Sequence, residues 1–160
     1  MRILGIDPGT STTGYSVIEG STDIDCKAIT YGVITTSSKD TPANRLKIIF
    51  EDITQIIQIY KPQILSIEQL FFFKNSKTII TVSQARGVIL LAGVQNNLKI
   101  VEYTPLQVKL TLTGYGKANK REIQEMVMRS LKLPELPKPD DAADALAVAL
   151  CYLQNIFINN

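Results

Sequence analysis

The chain has 160 residues, a formal net charge of +2 and no histidine. One domain of that length buries about two-thirds of its unfolded surface, and without imidazole it cannot carry a Ser-His-Asp or Cys-His site or a zinc site built on histidine. Its two cysteines, Cys26 and Cys151, form neither a CxxC nor a disulfide framework, and it has no signal-peptide pattern and no apolar run near the ~20 residues of a membrane span; a cytoplasmic protein away from the membrane is expected.

In chain order, Ile3 to Ile6 reads as a buried strand stopped by Pro8-Gly9, Gly14 to Ile18 as a second, and Lys27 to Thr36 as a third. Three strands with short connections predict an antiparallel meander. The period then changes: Leu46, Ile49, Phe50, Ile53, Ile56, Ile57 and Tyr60 share one helical face, and Pro62 ends that helix. Ile64 to Ile67 is a continuous apolar strand suited to a sheet interior. Lys77 to Asn96 reads as a helix whose second half, Val88 to Val94, is apolar nearly all round, so a partner subunit is expected to cover one side. A fifth strand covers Lys99 to Tyr103, a short helix runs from Pro105 to about Thr111, and another covers Lys120 to Leu131. After Pro134, Pro137 and Pro139, Asp140 or Asp141 should cap a last helix reaching about Tyr152. The order departs from strict βαβ alternation and predicts one α/β domain over residues 1–160, a five-stranded mixed sheet flanked by helices.

Carboxylates stand where these elements begin or end. Asp7 closes the first strand and Glu68 the fourth, while Asp141 and Asp144 share one face at the start of the last helix. Each has an ordinary reading: a turn aspartate before Pro-Gly, a strand-end glutamate in water, acids complementing a helix dipole. The dipole explains Asp140 and Asp141 better than Asp144, which lies one turn further in on an otherwise apolar helix. Together, carboxylates at such places need a neutralising partner, and a hard divalent cation with oxygen ligands serves. The stretch Lys99–Lys132 adds Lys109, Lys117, Lys120, Arg121 and Arg129 against Glu102, Glu122 and Glu125. That excess suits a polyanion near a metal site, or simply a solvated face. Phe71-Phe72-Phe73 follows Glu68 and reads as core or as a base-stacking wedge.

The blocks Gly5-Ile6-Asp7-Pro8-Gly9, Ile67-Glu68-Gln69, Gln84-Ala85-Arg86-Gly87, Gly114-Tyr115-Gly116-Lys117-Ala118 and Asp141-Ala142-Ala143-Asp144-Ala145 resemble, in order and spacing, the signature of the RuvC family of Holliday junction resolvases. The resemblance covers nearly the whole chain. It implies an RNase H-like fold, a homodimer, and endonuclease action on four-way DNA junctions, with the RuvA–RuvB branch-migration complex as partner. It implies two Mg2+ ions (Mn2+ is an alternative) held by Asp7, Glu68, Asp141 and Asp144, with Lys109 and Lys120 as catalytic residues. Phe71, Arg86, Lys109, Lys117 and Lys120 become the expected DNA contacts. Beside the family the chain is expected to lack the basic tail that some members carry, a departure that bears on tail-dependent DNA contacts and not on catalysis. Two alternatives stand beside it. Asp7 to Gly14 also looks like the first phosphate loop of sugar kinase and actin-type ATPases, although 160 residues cannot hold both of their domains. A module that binds branched DNA without cutting it is the other.

Overall fold

Strand alternation sends successive side chains of each strand to opposite faces, and here both faces are covered. The computed structural model describes residues 1–21, 25–70 and 78–158. Within them the order is β1 (Arg2–Asp7), β2 (Thr12–Gly20), β3 (Cys26–Thr35), α1 (Pro42–Tyr60), β4 (Ile64–Glu68), α2 (Ile79–Gln95), β5 (Lys99–Tyr103), α3 (Pro105–Thr113), α4 (Lys120–Ser130) and α5 (Asp140–Ile158). Phe71 to Phe73 and the predicted helix start at Lys77 lie outside the described residues.

The sheet order is β3-β2-β1-β4-β5. The meander pairs β1 with β2 and β2 with β3 antiparallel, while β4 joins β1, and β5 joins β4, in parallel. As a result β1, β3, β4 and β5 all finish at the same end of the sheet. Leu4, Ile6, Leu65 and Ile67 face α1 and α2, against Ile49, Ile53 and Ile89. Ile3, Ile18 and Ile64 face the other way, into a core completed by Val108, Ile123, Leu146 and Leu150 of α3, α4 and α5. The continuous apolar run of β4 is thus the mark of a strand buried on two sides.

Helix α5 occupies the centre of that second layer, buried from Ala142 through Leu153 except at Asp144. Small residues let it approach closely. A β-carbon at Gly5 would overlap the Ala145 carbonyl oxygen, and one at Gly14 would overlap the Asp141 carbonyl oxygen. Ser66 completes the docking, its hydroxyl donating to the Val148 carbonyl at 2.8 Å.

Two boundaries of α5 differ from expectation. The Pro139 carbonyl accepts from the amides of Ala142 and Ala143, so the helix already includes Asp140, and neither Asp140 nor Asp141 is its cap. At the far end Asn155 donates to the Cys151 carbonyl at 2.8 Å and to Thr111 at 3.2 Å, which ties a further turn to α3. Helix α2 buries Ala85, Ile89, Ala92 and Gly93 against the sheet. Its outer side leaves Ile80, Leu91 and Val94 exposed at 67%, 50% and 61%. Among the described residues no helix is long and apolar enough to cross a membrane.

The close approach of α5 yields a test. Gly14→Ala forces a methyl group into the Asp141 backbone, and overpacking of this kind costs about 1–3 kcal/mol. Urea unfolding should show that loss, together with weaker divalent-metal binding, because Asp141 is pushed from the sheet. Unchanged stability in this variant would mean that α5 does not sit so close.

Candidate active site and metal centre

The register of the parallel pair brings the first two carboxylates together. Ile6 is level with Ile67, so Asp7 and Glu68 follow side by side at the ends of β1 and β4. Alternation then decides their direction. Gly5 and Ser66 face α5, and two residues on, Asp7 and Glu68 share that face. The start of α5, seated over Gly14 beside Asp7, adds Asp141 from its first turn and Asp144 from just beyond it.

The electrostatics report this convergence. Burial, then the negative charges of Glu68, Asp144 and Asp141 and a hydrogen bond to Glu68, push the Asp7 carboxyl up to about 8. Burial and the Asp144 charge raise Glu68, against the lowering effect of its bond from Asp7 and of Lys120. Burial also raises Asp144, with Lys120 opposing. Burial and the neighbouring negative charges thus favour the neutral form of Asp7, where two anions would repel. Among the described residues no three acidic side chains stand in a finished metal-binding arrangement; Asp144 is turned to the Lys120 ammonium, 3.2 Å away. The donor set nonetheless fits a hard divalent cation. It is all oxygen, it gathers like charges in a poorly solvated place, and a cation would relieve the repulsion that a proton now relieves.

A cleft of about 210 Å³ opens beside the carboxylates, with Glu68, Asp144, Lys109 and Lys120 among its lining residues. Lys120 is half exposed and bridges Asp140 and Asp144, each at 3.2 Å. Burial lowers its pKa, but these two carboxylates outweigh burial and hold it above the usual lysine value. The arrangement can bind an anion against two ammonium groups while presenting oxygen ligands to cations.

Known proteins resemble this chain over nearly its whole length. The family model for crossover junction endodeoxyribonuclease RuvC matches residues 3–152. Curated crossover junction endodeoxyribonucleases RuvC from Caldicellulosiruptor saccharolyticus and Fusobacterium nucleatum are 55% and 51% identical, over 96% and 98% of this chain and 92% and 82% of theirs. The chain belongs to the RuvC family. Among solved structures, Thermus thermophilus RuvC in complex with Holliday junction substrate superposes with a TM-score of 0.94 at 30% identity, covering 99% of this chain and 96% of that one. The yeast mitochondrial Holliday junction resolvase shares the fold, with a TM-score of 0.70 at 13% identity over 96% of this chain and 78% of that one. RuvC proteins are metal-dependent nucleases, and the RNase H-like expectation holds.

The residues expected from the sequence divide in this RuvC-family chain. Asp7, Glu68, Asp141, Asp144, Lys109 and Lys120 come together. Lys117 is exposed in the turn before α4 and does not line the cleft. Arg86 is turned elsewhere: it forms an ion pair with Glu102 at 2.6 Å, without hydrogen-bond alignment, beside a separate hollow of about 220 Å³ with Gln69 and Ser83. Phe71 lies outside the described residues. Sequence reasoning passed over Gly14 and Ser66, which seat α5, and Gln124, which donates to Asp140 at 3.0 Å. A glycine within a strand, and a serine inside the otherwise apolar β4, were the available signal of a close approach.

The raised carboxyls make stability depend on pH in a set direction. In the metal-free protein Asp7 keeps its proton to about pH 8, whereas an unfolded aspartyl loses it near pH 4. Between about pH 4 and pH 8 the folded state binds more protons, so stability falls as pH rises through that window. Glu68 and Asp144 are shifted in the same direction. With chelator present, the thermal midpoint should drop from pH 5 to pH 8.5, and Asp7→Asn should remove most of the drop. A wild-type midpoint indifferent to pH would rule out the buried, protonated carboxyl.

Proposed function

We propose that this chain is a crossover junction endodeoxyribonuclease that resolves four-way DNA junctions by paired, symmetric nicks. The observation that carries the reading is the gathering of carboxylates from β1, β4 and α5 beside a cleft with two lysines. The RuvC relatives at 55% and 51% identity support it. So does the likeness to Thermus thermophilus RuvC in complex with Holliday junction substrate.

Asp7, Glu68, Asp141 and Asp144 are the proposed metal ligands. Two divalent ions, magnesium or manganese, would there supply an activated water and stabilise the leaving 3′-oxygen, yielding 5′-phosphate and 3′-hydroxyl ends. Asp7 lies between the other acids and is suited to bridge. The protein holds the acids in a poorly solvated corner, so their charge acts at full strength on what binds them. Lys109 and Lys120 line the same cleft as Glu68 and Asp144 and are suited to bear on charge that builds on the scissile phosphate. Lys120 would exchange an aspartate for a phosphate oxygen. Lys117 and Phe71 remain proposed DNA contacts; Arg86 would join them only by leaving Glu102.

The kinase-type alternative needs a nucleotide held between two domains, whereas the nuclease family match spans residues 3–152 of this one chain. A second copy of the chain is the proposed cover for Ile80, Leu91 and Val94, since a junction with two-fold symmetry calls for two equivalent active sites. The proposed setting is recombination and DNA repair in the cytoplasm, with the RuvA–RuvB motor as partner.

Incubation with a synthetic four-way junction and magnesium, read on a denaturing gel, tests the reading. Symmetric nicks should appear in wild type. Asp7→Asn should abolish cutting and retain junction binding; loss of both would point to a structural role for Asp7, and binding without cutting by wild type to a non-catalytic module. Lys→Ala at position 109 or 120 should lower kcat at saturating junction at least tenfold, about 1.4 kcal/mol of barrier, with little change in affinity. Near wild-type turnover in both would return these lysines to a solvated face. Leu91→Glu should convert a dimer to monomers in analytical ultracentrifugation, an idea that a monomeric wild type at micromolar concentration would sink.

A further inference from the structure

The turn between β1 and β2, which begins directly after Asp7, is held from outside by a charged group. Arg45, in the first turn of α1, donates from Nε to the Thr36 hydroxyl and from Nη2 to the Ser11 hydroxyl, each at 2.8 Å. The Thr36 hydroxyl in turn donates to the Thr10 carbonyl at 2.6 Å, and the Thr36 amide to the Ser11 carbonyl at 3.1 Å. From within, the Thr13 hydroxyl bonds the Gly9 carbonyl at 2.5 Å. The Thr10 hydroxyl is buried without a hydrogen-bond partner among the described residues, so the turn keeps its shape against a local cost. The result is a rigid lip.

What the guanidinium lacks is an anion. Arg2, Arg86 and Arg121 each close on a glutamate. Among the described residues no carboxylate oxygen lies within 4 Å of Arg45, and its named partners are neutral hydroxyls. Of its five N–H donors, two are used. A clamp between neutral hydroxyls does not need a full positive charge, and a half-buried arginine beside an exposed serine is a ready fork for phosphate oxygens.

Its position supports that use. Thr36 follows β3, which finishes at the same end of the sheet as β1. Two strand steps of about 4.8 Å separate β3 from β1, and Thr36 lies three residues past Val33, the β3 residue level with Asp7 through Gly14, so the Thr36 end of the clamp stands roughly 14 Å from Asp7. That distance is the rise of about four nucleotides in one strand of a duplex. Lys109 and Lys120 lie on the opposite flank, toward β5. A DNA strand crossing the carboxylates from the lysines would meet Arg45 next.

We propose that Arg45 and Ser11 form a binding subsite for a DNA backbone phosphate a few nucleotides from the cleaved bond, on the side away from Lys109 and Lys120. The proposal rests on the nuclease reading above and deepens it. Because the same guanidinium holds the lip that follows Asp7, grip on the DNA arm and placement of Asp7 share one residue.

The test uses the full chain, a four-way junction and a linear duplex of equal length, with binding measured in chelator across a salt series. Arg45→Gln should weaken junction binding at least fivefold and reduce the slope of log K against log salt by about one. The linear duplex should show the same change of slope. Arg45→Lys, which keeps the charge, should keep the wild-type slope. If Arg45→Gln fails to fold, Ser11→Asp serves instead, since it places a carboxylate on the guanidinium from an exposed site and should give the same reduced slope. Wild-type slopes in whichever of these two variants fold, with a lowered thermal midpoint in Arg45→Gln, would overturn the subsite and leave a purely structural clamp. A wild-type chain that neither binds nor cuts the junction would instead overturn the nuclease reading itself, so the two failures are distinguishable.

Discussion

The arrangement turns on carboxylates held close together where water is scarce. Isolated, each would be expensive to bury. Side by side on neighbouring parallel strands, Asp7 and Glu68 are poorly placed to be anions together without a counter-charge, and burial first, then the charges of Glu68, Asp144 and Asp141, raise Asp7 to about 8. The fold tolerates the conflict because the rest of the domain is conventionally packed, with an apolar layer on each side of the sheet. Strain of this sort, confined to one corner of an otherwise consistent structure, is what a site prepared for a cation looks like.

Helix α5 makes the corner possible. Its alanines, with Gly5 and Gly14 below, allow the backbone itself to rest on the strands. Longer side chains would hold the helix off and leave Asp141 and Asp144 out of reach of Asp7. The Ser66 bond to Val148 locks the helix along its axis, and α3 and α4 cover its back. The same packing that builds the core therefore also places half of the proposed ligand set, so core and active-site substitutions should couple here.

Cations surround this corner in different states of engagement. Lys120 is already paired with Asp140 and Asp144, Arg86 is committed to Glu102, and Arg45 holds only hydroxyls. A basic residue paired in the free protein must trade one anion for another to hold DNA, and gains little net attraction. An unpaired one brings its whole charge. Counting lysines and arginines along the chain does not distinguish these states, and that is how Arg86 enters a list of DNA contacts while Arg45 does not.

The sequence by itself determined the five strands, the helices between them, the mixed character of the sheet and the identity of the acids at the strand ends. It could do so because alternation, helical period and turn residues are local, and each of those acids ends a local pattern. The resemblance of five short blocks to one family carried the function for the same reason, since signature residues sit in contiguous stretches. What only the tertiary structure decided is pairwise: that Asp7 and Glu68 share a face, that Gly14 is the seat of Asp141, that Arg86 belongs to Glu102, and that Arg45 reaches Ser11 across 34 positions. The extension of α5 past Tyr152 is of the same kind, because Asn155 is a plausible helix end until Thr111 is brought beside it. Such facts depend on register, close approach and burial between segments distant in the chain, and no local pattern encodes them.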